Sequence, residues 1–168
     1  MIEALMLTAV LQSGPDHLVE HSTEEKKIED INFKKPHKGG FSEEIIAAST
    51  VPDKWRPFAA CVLDRESGAS IKNKNSGEGA RNPRSSASGR WQFLQSGWGQ
   101  SLPFMVAEQL RDHGMPKKEA KQVRIHLQSK PIYKWDGHWQ DAGAIEVLQQ
   151  GGWFHWRYGD KCDRKRSQ

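Results

Sequence analysis

The sequence has only two cysteines, Cys61 and Cys162, too few for a disulfide-dense mini-scaffold. No apolar run approaches the roughly 18–20 residues that a spanning helix requires, so an integral membrane protein is not expected. The first fifty residues contain no tryptophan and no tyrosine, and so lack the largest aromatic anchors. All seven tryptophans fall from Trp55 onward, which argues against a wholly disordered chain. The 168 residues suit one ordinary domain, or a smaller domain with an appended segment. Charge divides in the same place. Residues 1–50 carry nine acids and five bases; the remainder carries twelve acids and twenty bases. The sequence therefore reads as an N-terminal extension over residues 1–50 and a basic, Trp-rich domain over residues 51–168, with the boundary near Ser49–Asp53.

The extension carries no evident chemistry. Met1–Leu11 is apolar, yet no Lys or Arg precedes it and Glu3 is acidic, so it makes a poor export signal. A short helix packing on the domain or on a partner chain is the alternative. Residues 32–40, with a proline, two glycines and three lysines, read as linker. His17, His21 and His37 lack metal-ligand spacing.

Ser42–Ala48 has a capping serine and acids in its first turn, which predicts a short helix. Trp55, Phe58, Ala59 and Val62 recur at helical spacing and predict a helix from Pro52 to Ser67, starting after Arg56 if Pro57 breaks the first turn. Gly68 ends it. Residues 69–90 are polar and rich in Gly, Asn and Ser. They predict an irregular loop with a hairpin around Gly77–Gly79, and a loop this long is usually functional or disordered. Ser101 and Pro103 predict a helix start, with Phe104, Ala107 and Leu110 facing inward as far as Gly114. Pro116–Ser129 and Asp136–Gln150 predict two more helices. The expected fold class is mainly α: a helical domain with a small β or loop lobe inserted after the Glu66 helix.

One turn beyond Val62, the same apolar stripe lands on Glu66. Burial disfavours the carboxylate anion and raises its pKa, which is what a general acid near neutrality needs. Taken alone, Glu66 reads equally as a partner for Arg65 or Arg90, or as a solvated helix end.

Its surroundings add to this. Residues 61–68, Cys-Val-Leu-Asp-Arg-Glu-Ser-Gly, are followed at residues 87–98 by Ala-Ser-Gly-Arg-Trp-Gln-Phe-Leu-Gln-Ser-Gly-Trp. This combination resembles the lysozyme-like transglycosylase families, which include the soluble lytic transglycosylases and the resuscitation-promoting-factor-like domains. There a Glu-Ser pair ends the first core helix, and a small-Gly-x-x-Gln-Phe/Met segment follows a loop. Gln140, Asp141, Ala144, Leu148, Gly152, His155 and Trp156 resemble the closing helix of actinobacterial and phage members. The resemblance spans residues 55–162. It implies a lysozyme-like α+β fold and a peptidoglycan lytic transglycosylase or muramidase that cleaves the MurNAc–GlcNAc linkage. Glu66 matches the catalytic acid/base, Gln92 the glutamine that lines the cleft, and Ser67 a residue that orients the glutamate or the N-acetyl group, or else caps the helix.

In a lytic transglycosylase one carboxylate suffices, because the muramyl 6-hydroxyl is the nucleophile. A glycoside hydrolase usually needs a second carboxylate, about 5–5.5 Å away for retention or about 6.5–9.5 Å for inversion. Glu78, in the long loop, is the one candidate for that role; a solvated loop acid is its other reading. Trp91, Tyr133 and Trp135 read as sugar-stacking platforms or as core. Related secreted proteins tie the first helix to the chain end by a disulfide. Cys61 and Cys162 are thus a candidate pair, worth ~4–5 kcal/mol in the chain-entropy model, with two free thiols as the alternative.

No cofactor and no metal site is expected, since His155, Cys162 and the remaining histidines make no zinc spacing. The basic surplus, ending in residues 161–166, shows no nucleic-acid-binding signature and suits attraction to a polyanionic wall. The expected partners are glycan strands, together with other virion proteins contacted through residues 1–50, with no nucleic acid and no membrane span. A wall cleaver without a convincing export signal is expected to come from a bacteriophage, as a tail lysin or an endolysin, and to act at the cell wall, outside the cell or in the virion. A non-catalytic glycan-binding or structural module on the same fold is the alternative.

Overall fold

The computed structural model describes residues 41–157 and Cys162. The expectations for residues 1–40 and for the basic run at 163–166 lie outside them. The described part is mainly helical, with one short helix, four longer ones and a two-stranded sheet. Helix α1 is Glu43–Ala48. It lies on the N-terminal side of the boundary read from the sequence, yet Ile45 and Ala48 are buried in the same core as the rest. Gln109 donates to the Ala48 carbonyl at 3.2 Å. Helix α1 therefore packs into the same core as the residues that follow Ser49–Asp53.

A 3-10 turn at Asp53–Trp55 leads into α2, Arg56–Ser67, with Pro57 in its first turn, where no intrahelical N–H is lost. Phe58, Ala59, Val62 and Leu63 are buried. Gly68 closes the helix in the left-handed conformation at φ 65°, which a side chain would resist. The expected hairpin around Gly77–Gly79 does not form. The two strands are instead β1, Ala87–Ser88, and β2, Phe93–Leu94, paired antiparallel with Ser88 opposite Phe93. Residues near Gly77 have no apolar side chain to bury, whereas Phe93 is anchored in the core.

Helix α3, Gln95–Asp112, begins six residues before the predicted start and keeps Pro103 inside it. A proline there forfeits one backbone hydrogen bond. Burial of Leu102, Pro103, Val106 and Leu110 on one face outweighs that loss, and it turns Phe104 outward, against the predicted inward face. Helices α4, Lys117–Gln128, and α5, Gly137–Gln149, match their predicted spans to within two residues. Asp136 caps α5 by accepting from the His138 N–H at 3.0 Å. Every residue of α5 from Trp139 to Leu148 is buried, so α5 is the central helix. A Cβ at Gly143 would meet Leu102 Cδ1 at 2.9 Å, so the bare glycine lets α3 lie close against it. A 3-10 turn, Gly152–Trp156, then carries the chain back to α2. There Cys61 and Cys162 form a disulfide with Cα atoms 5.6 Å apart, closing a span of 101 residues.

The long loop after α2 has little apolar surface, and a buried ionic cluster holds it. Arg90 and Asp141 are both completely buried. Arg90 Nε donates to Asp141 Oδ1 at 2.9 Å, and its two terminal nitrogens donate to the carbonyls of Ser70, Asn73, Lys74 and Ser76. Trp91 Nε1 donates to the same Asp141 oxygen at 2.8 Å, and Lys74 Nζ donates to the other at 2.7 Å. Beside it, Gln140 takes the Arg90 N–H and donates to the carbonyls of Glu78, Ile132 and Trp135.

Removing one partner of such a pair leaves the other buried and unmatched. Arg90→Ala is expected to cost about 3–5 kcal/mol of unfolding free energy. Arg90→Lys should rescue little of it, because one ammonium cannot span the aspartate and four carbonyls. Denaturant melts of the three proteins check this.

Glu146, also in α5, is buried with Oε2 unpartnered. Burial pushes its pKa up; Gln150 opposes that through a hydrogen bond at 2.7 Å, while Glu108 and Asp112 add to it and His113 opposes it. The folded state thus holds this proton more tightly than the unfolded state, and stability falls as pH rises through the Glu146 range. Glu146→Gln is expected to raise the melting temperature at neutral pH. The gain should fade as pH falls to the ordinary carboxylate range, where the native side chain is protonated too; a gain that grew on acidification would contradict the assignment.

Candidate active site

Glu66 sits in the last turn of α2, with about a quarter of its side chain exposed. The apolar stripe brings it to the edge of the core, as the spacing predicts. Arg65 holds one carboxylate oxygen: its Nε donates to Glu66 Oε1 at 3.0 Å and its Nη2 at 2.5 Å. The same Nη2 donates to the Trp156 carbonyl at 2.7 Å. Oε2 has no hydrogen-bond partner among the described residues.

Two links bring the 89–92 turn to this end of α2. Ser67 Oγ donates to the Arg90 carbonyl at 2.7 Å. Trp156, which Arg65 contacts, donates from its indole to the Trp91 carbonyl at 2.9 Å. Its ring lies 5.3 Å from those of both Trp91 and Phe93. Gln92 ends the turn in an unusual state. It is the single non-glycine residue with positive φ among the described residues, at 50°. Backbone strain of this kind costs of order 1–3 kcal/mol, and such residues cluster at functional sites. Its Nε2 donates to the Gly89 carbonyl at 3.0 Å, and the side chain is only half-buried. Gln92 is thus a turn residue, displayed between two strands.

The other sequence candidates divide. Trp91 is wholly buried against Trp156 with its indole on Asp141, so it is core and no sugar platform. Trp135 is 2 % exposed and donates to the Lys130 carbonyl, with the same outcome. Tyr133 stays accessible: the Arg81 guanidinium lies 4.6 Å above its ring, and the two share a groove beside β1. Ser67 faces the hairpin and ties it down, with its hydroxyl engaged by a backbone carbonyl. Glu78 is drawn to α5, where its Oε2 accepts from the Gly137 N–H at 3.2 Å, at the positive end of that helix. That contact answers why an acid stands in the loop without assigning it chemistry. Arg65 and Trp156 are the site residues that sequence reasoning left unassigned. Arg65 was weighed only as a partner that would neutralise Glu66, and its bridge to the chain end has no local signature.

Comparison of the chain with protein-family models, with curated proteins and with solved structures gives no match.

Ser67→Ala removes the direct tie between α2 and the turn. It is expected to cost about 1 kcal/mol and to speed amide exchange at Gln92, whose N–H bonds back to Gly89 within the turn. Unchanged exchange there would mean that the tie does not hold the turn.

Proposed function

We propose that this domain is a lysozyme-like enzyme that cleaves peptidoglycan glycan strands, with Glu66 as its single acid/base. The observation that carries the reading is the juxtaposition of a half-buried carboxylate with one free oxygen and the strained, displayed Gln92 turn, tied together through Ser67 and Trp156. In this account Oε2 gives its proton to the glycosidic oxygen as the bond to the muramyl carbon breaks. The carboxylate then takes the proton of the muramyl 6-hydroxyl as that oxygen closes the 1,6-anhydro ring. No water is consumed and Glu66 ends as it began. Gln92, with an amide that donates and accepts, would hold a sugar beside the bond.

The engagement of Glu78 with the start of α5 favours transglycosylation over hydrolysis, because a hydrolase usually places a second carboxylate across the bond. Trp135 and Trp91 drop out as platforms, which leaves Tyr133 as the accessible aromatic of the three. A wall location, outside the cell or in a phage tail or lysate, belongs to the same proposal. A second reading, a glycan-binding or structural module without turnover, draws on the Arg65 ion pair. A carboxylate already held by a guanidinium can orient sugar hydroxyls without giving up a proton.

The test is digestion of purified sacculi. The wild type is expected to release soluble muropeptides with anhydro-muramyl ends by mass spectrometry. Glu66→Gln should reduce release at least ~100-fold while still sedimenting with sacculi. Reducing ends would mean hydrolysis and return Glu78 to consideration. Binding without release by the wild type would establish the non-catalytic module.

A further inference from the structure

The groove beside β1 has a volume of about 170 Å³, and its walls carry one guanidinium among neutral polar groups. Arg81, Asn82, Ser85, Ser86, Ser88 and Tyr133 line most of it, and no acidic side chain does. The Arg81 guanidinium lies over the Tyr133 ring and makes no hydrogen bond or ion pair among the described residues. Ser88 is 3 % exposed, and its hydroxyl has no partner. Gln95, also in the lining, accepts from the Ile132 N–H through Oε1, and its Nε2 finds no acceptor among the described residues. Ser85 Oγ accepts from the Ala87 N–H and keeps its own O–H to give. Of these groups the Ser88 hydroxyl is the buried one, and leaving it without a partner among the described residues is costly. A guanidinium among them has fixed charge and a planar fork that matches an oxyanion.

We propose that this groove binds the carboxylate of a short peptide, with Arg81 as the charged contact and Gln95 and Ser88 as neutral donors. The groove is too small for a folded partner, and the Tyr133 face beside Arg81 gives an apolar neighbour to the Cα or side chain that carries a peptide carboxylate. Ser88 lies four residues before Gln92 on the same hairpin. Assigning the peptide to the stem that hangs from the muramyl lactyl group rests on the glycan-strand reading; the carboxylate preference itself does not.

The test is a 15N–1H chemical-shift titration of the full chain with a synthetic stem tetrapeptide, L-Ala–D-Glu–diaminopimelate–D-Ala. Saturable shifts are expected at the Arg81 Nε–H, the Gln95 side-chain amide and Ser88. Capping the carboxylates as amides, or Arg81→Ala, should each weaken binding about tenfold or more. Arg81 is exposed, so the melting temperature of that variant should hold. Absence of saturable shifts, equal binding of the amidated peptide, undiminished binding by Arg81→Ala, or tighter binding of inorganic phosphate would each overturn the proposal. Peptide binding in a protein that releases nothing from sacculi would retain this site and remove the catalytic reading. Release without peptide binding would do the opposite.

Discussion

The loop lobe depends on one buried guanidinium. Between Gly68 and Gly89 the chain has too little apolar surface to fold by burial, and Arg90 gathers it by its carbonyls. Four carbonyls from residues 70–76 converge on the two terminal nitrogens, while Nε is fixed to Asp141 of the central helix. A buried ion pair is weak ground for arguing net stability, because desolvating both charges offsets most of their attraction. Its value here is geometric. A planar fork of donors admits one arrangement of the carbonyls around it, so the loop acquires a single register where apolar contacts would allow many. Trp91 Nε1 and Lys74 Nζ complete the aspartate's hydrogen bonds, so Asp141 is satisfied on both oxygens.

Everything at the candidate site hangs from that anchor on one side and from the chain end on the other. The Arg90 carbonyl takes the Ser67 hydroxyl, and the Trp91 carbonyl takes the Trp156 indole. The Trp156 carbonyl in turn takes Arg65, which grips Glu66. The disulfide from Cys61 to Cys162 fastens the tail to α2 five residues before Glu66. The carboxylate is therefore set by three segments distant in sequence. Arg65 holds it through one oxygen alone, which fixes the plane of the group and leaves the second oxygen to meet whatever enters.

The helices were legible because their signals are local. The stripe Phe58, Ala59, Val62, the caps at Asp136 and Gly68, and the amphipathic pattern of α4 each act within a few turns. The pairing of Cys61 with Cys162 and the half-buried position of Glu66 were also within reach, the first through a family likeness and the second through periodicity. What escaped was decided by tertiary competition. Pro103 reads as a helix start, and packing of Leu102 and Val106 against α5 carries the helix through it. Gly77 reads as a hairpin turn, and the hairpin goes where Phe93 can be buried. Glu78 reads as a loop acid over a cleft, and the unpaired N–H at the start of α5 draws it in. Trp91 and Trp135 read as platforms or core with equal force, since an indole carries no mark of which side of it faces water.

The same competition bears on how one carboxylate could serve. The loop gives Glu78 to the start of α5, and it leaves Arg81 with several neutral polar groups on the face beside β1. That groove has no carboxylate in its lining and, under the proposed reading, would hold a polar, anionic chain. For a substrate that brings its own nucleophile, the demand on the protein reduces to placing one proton and gripping the strand. Under the proposed reading, the half-buried carboxylate at the end of α2 would place the proton and the groove beside β1 would grip the strand.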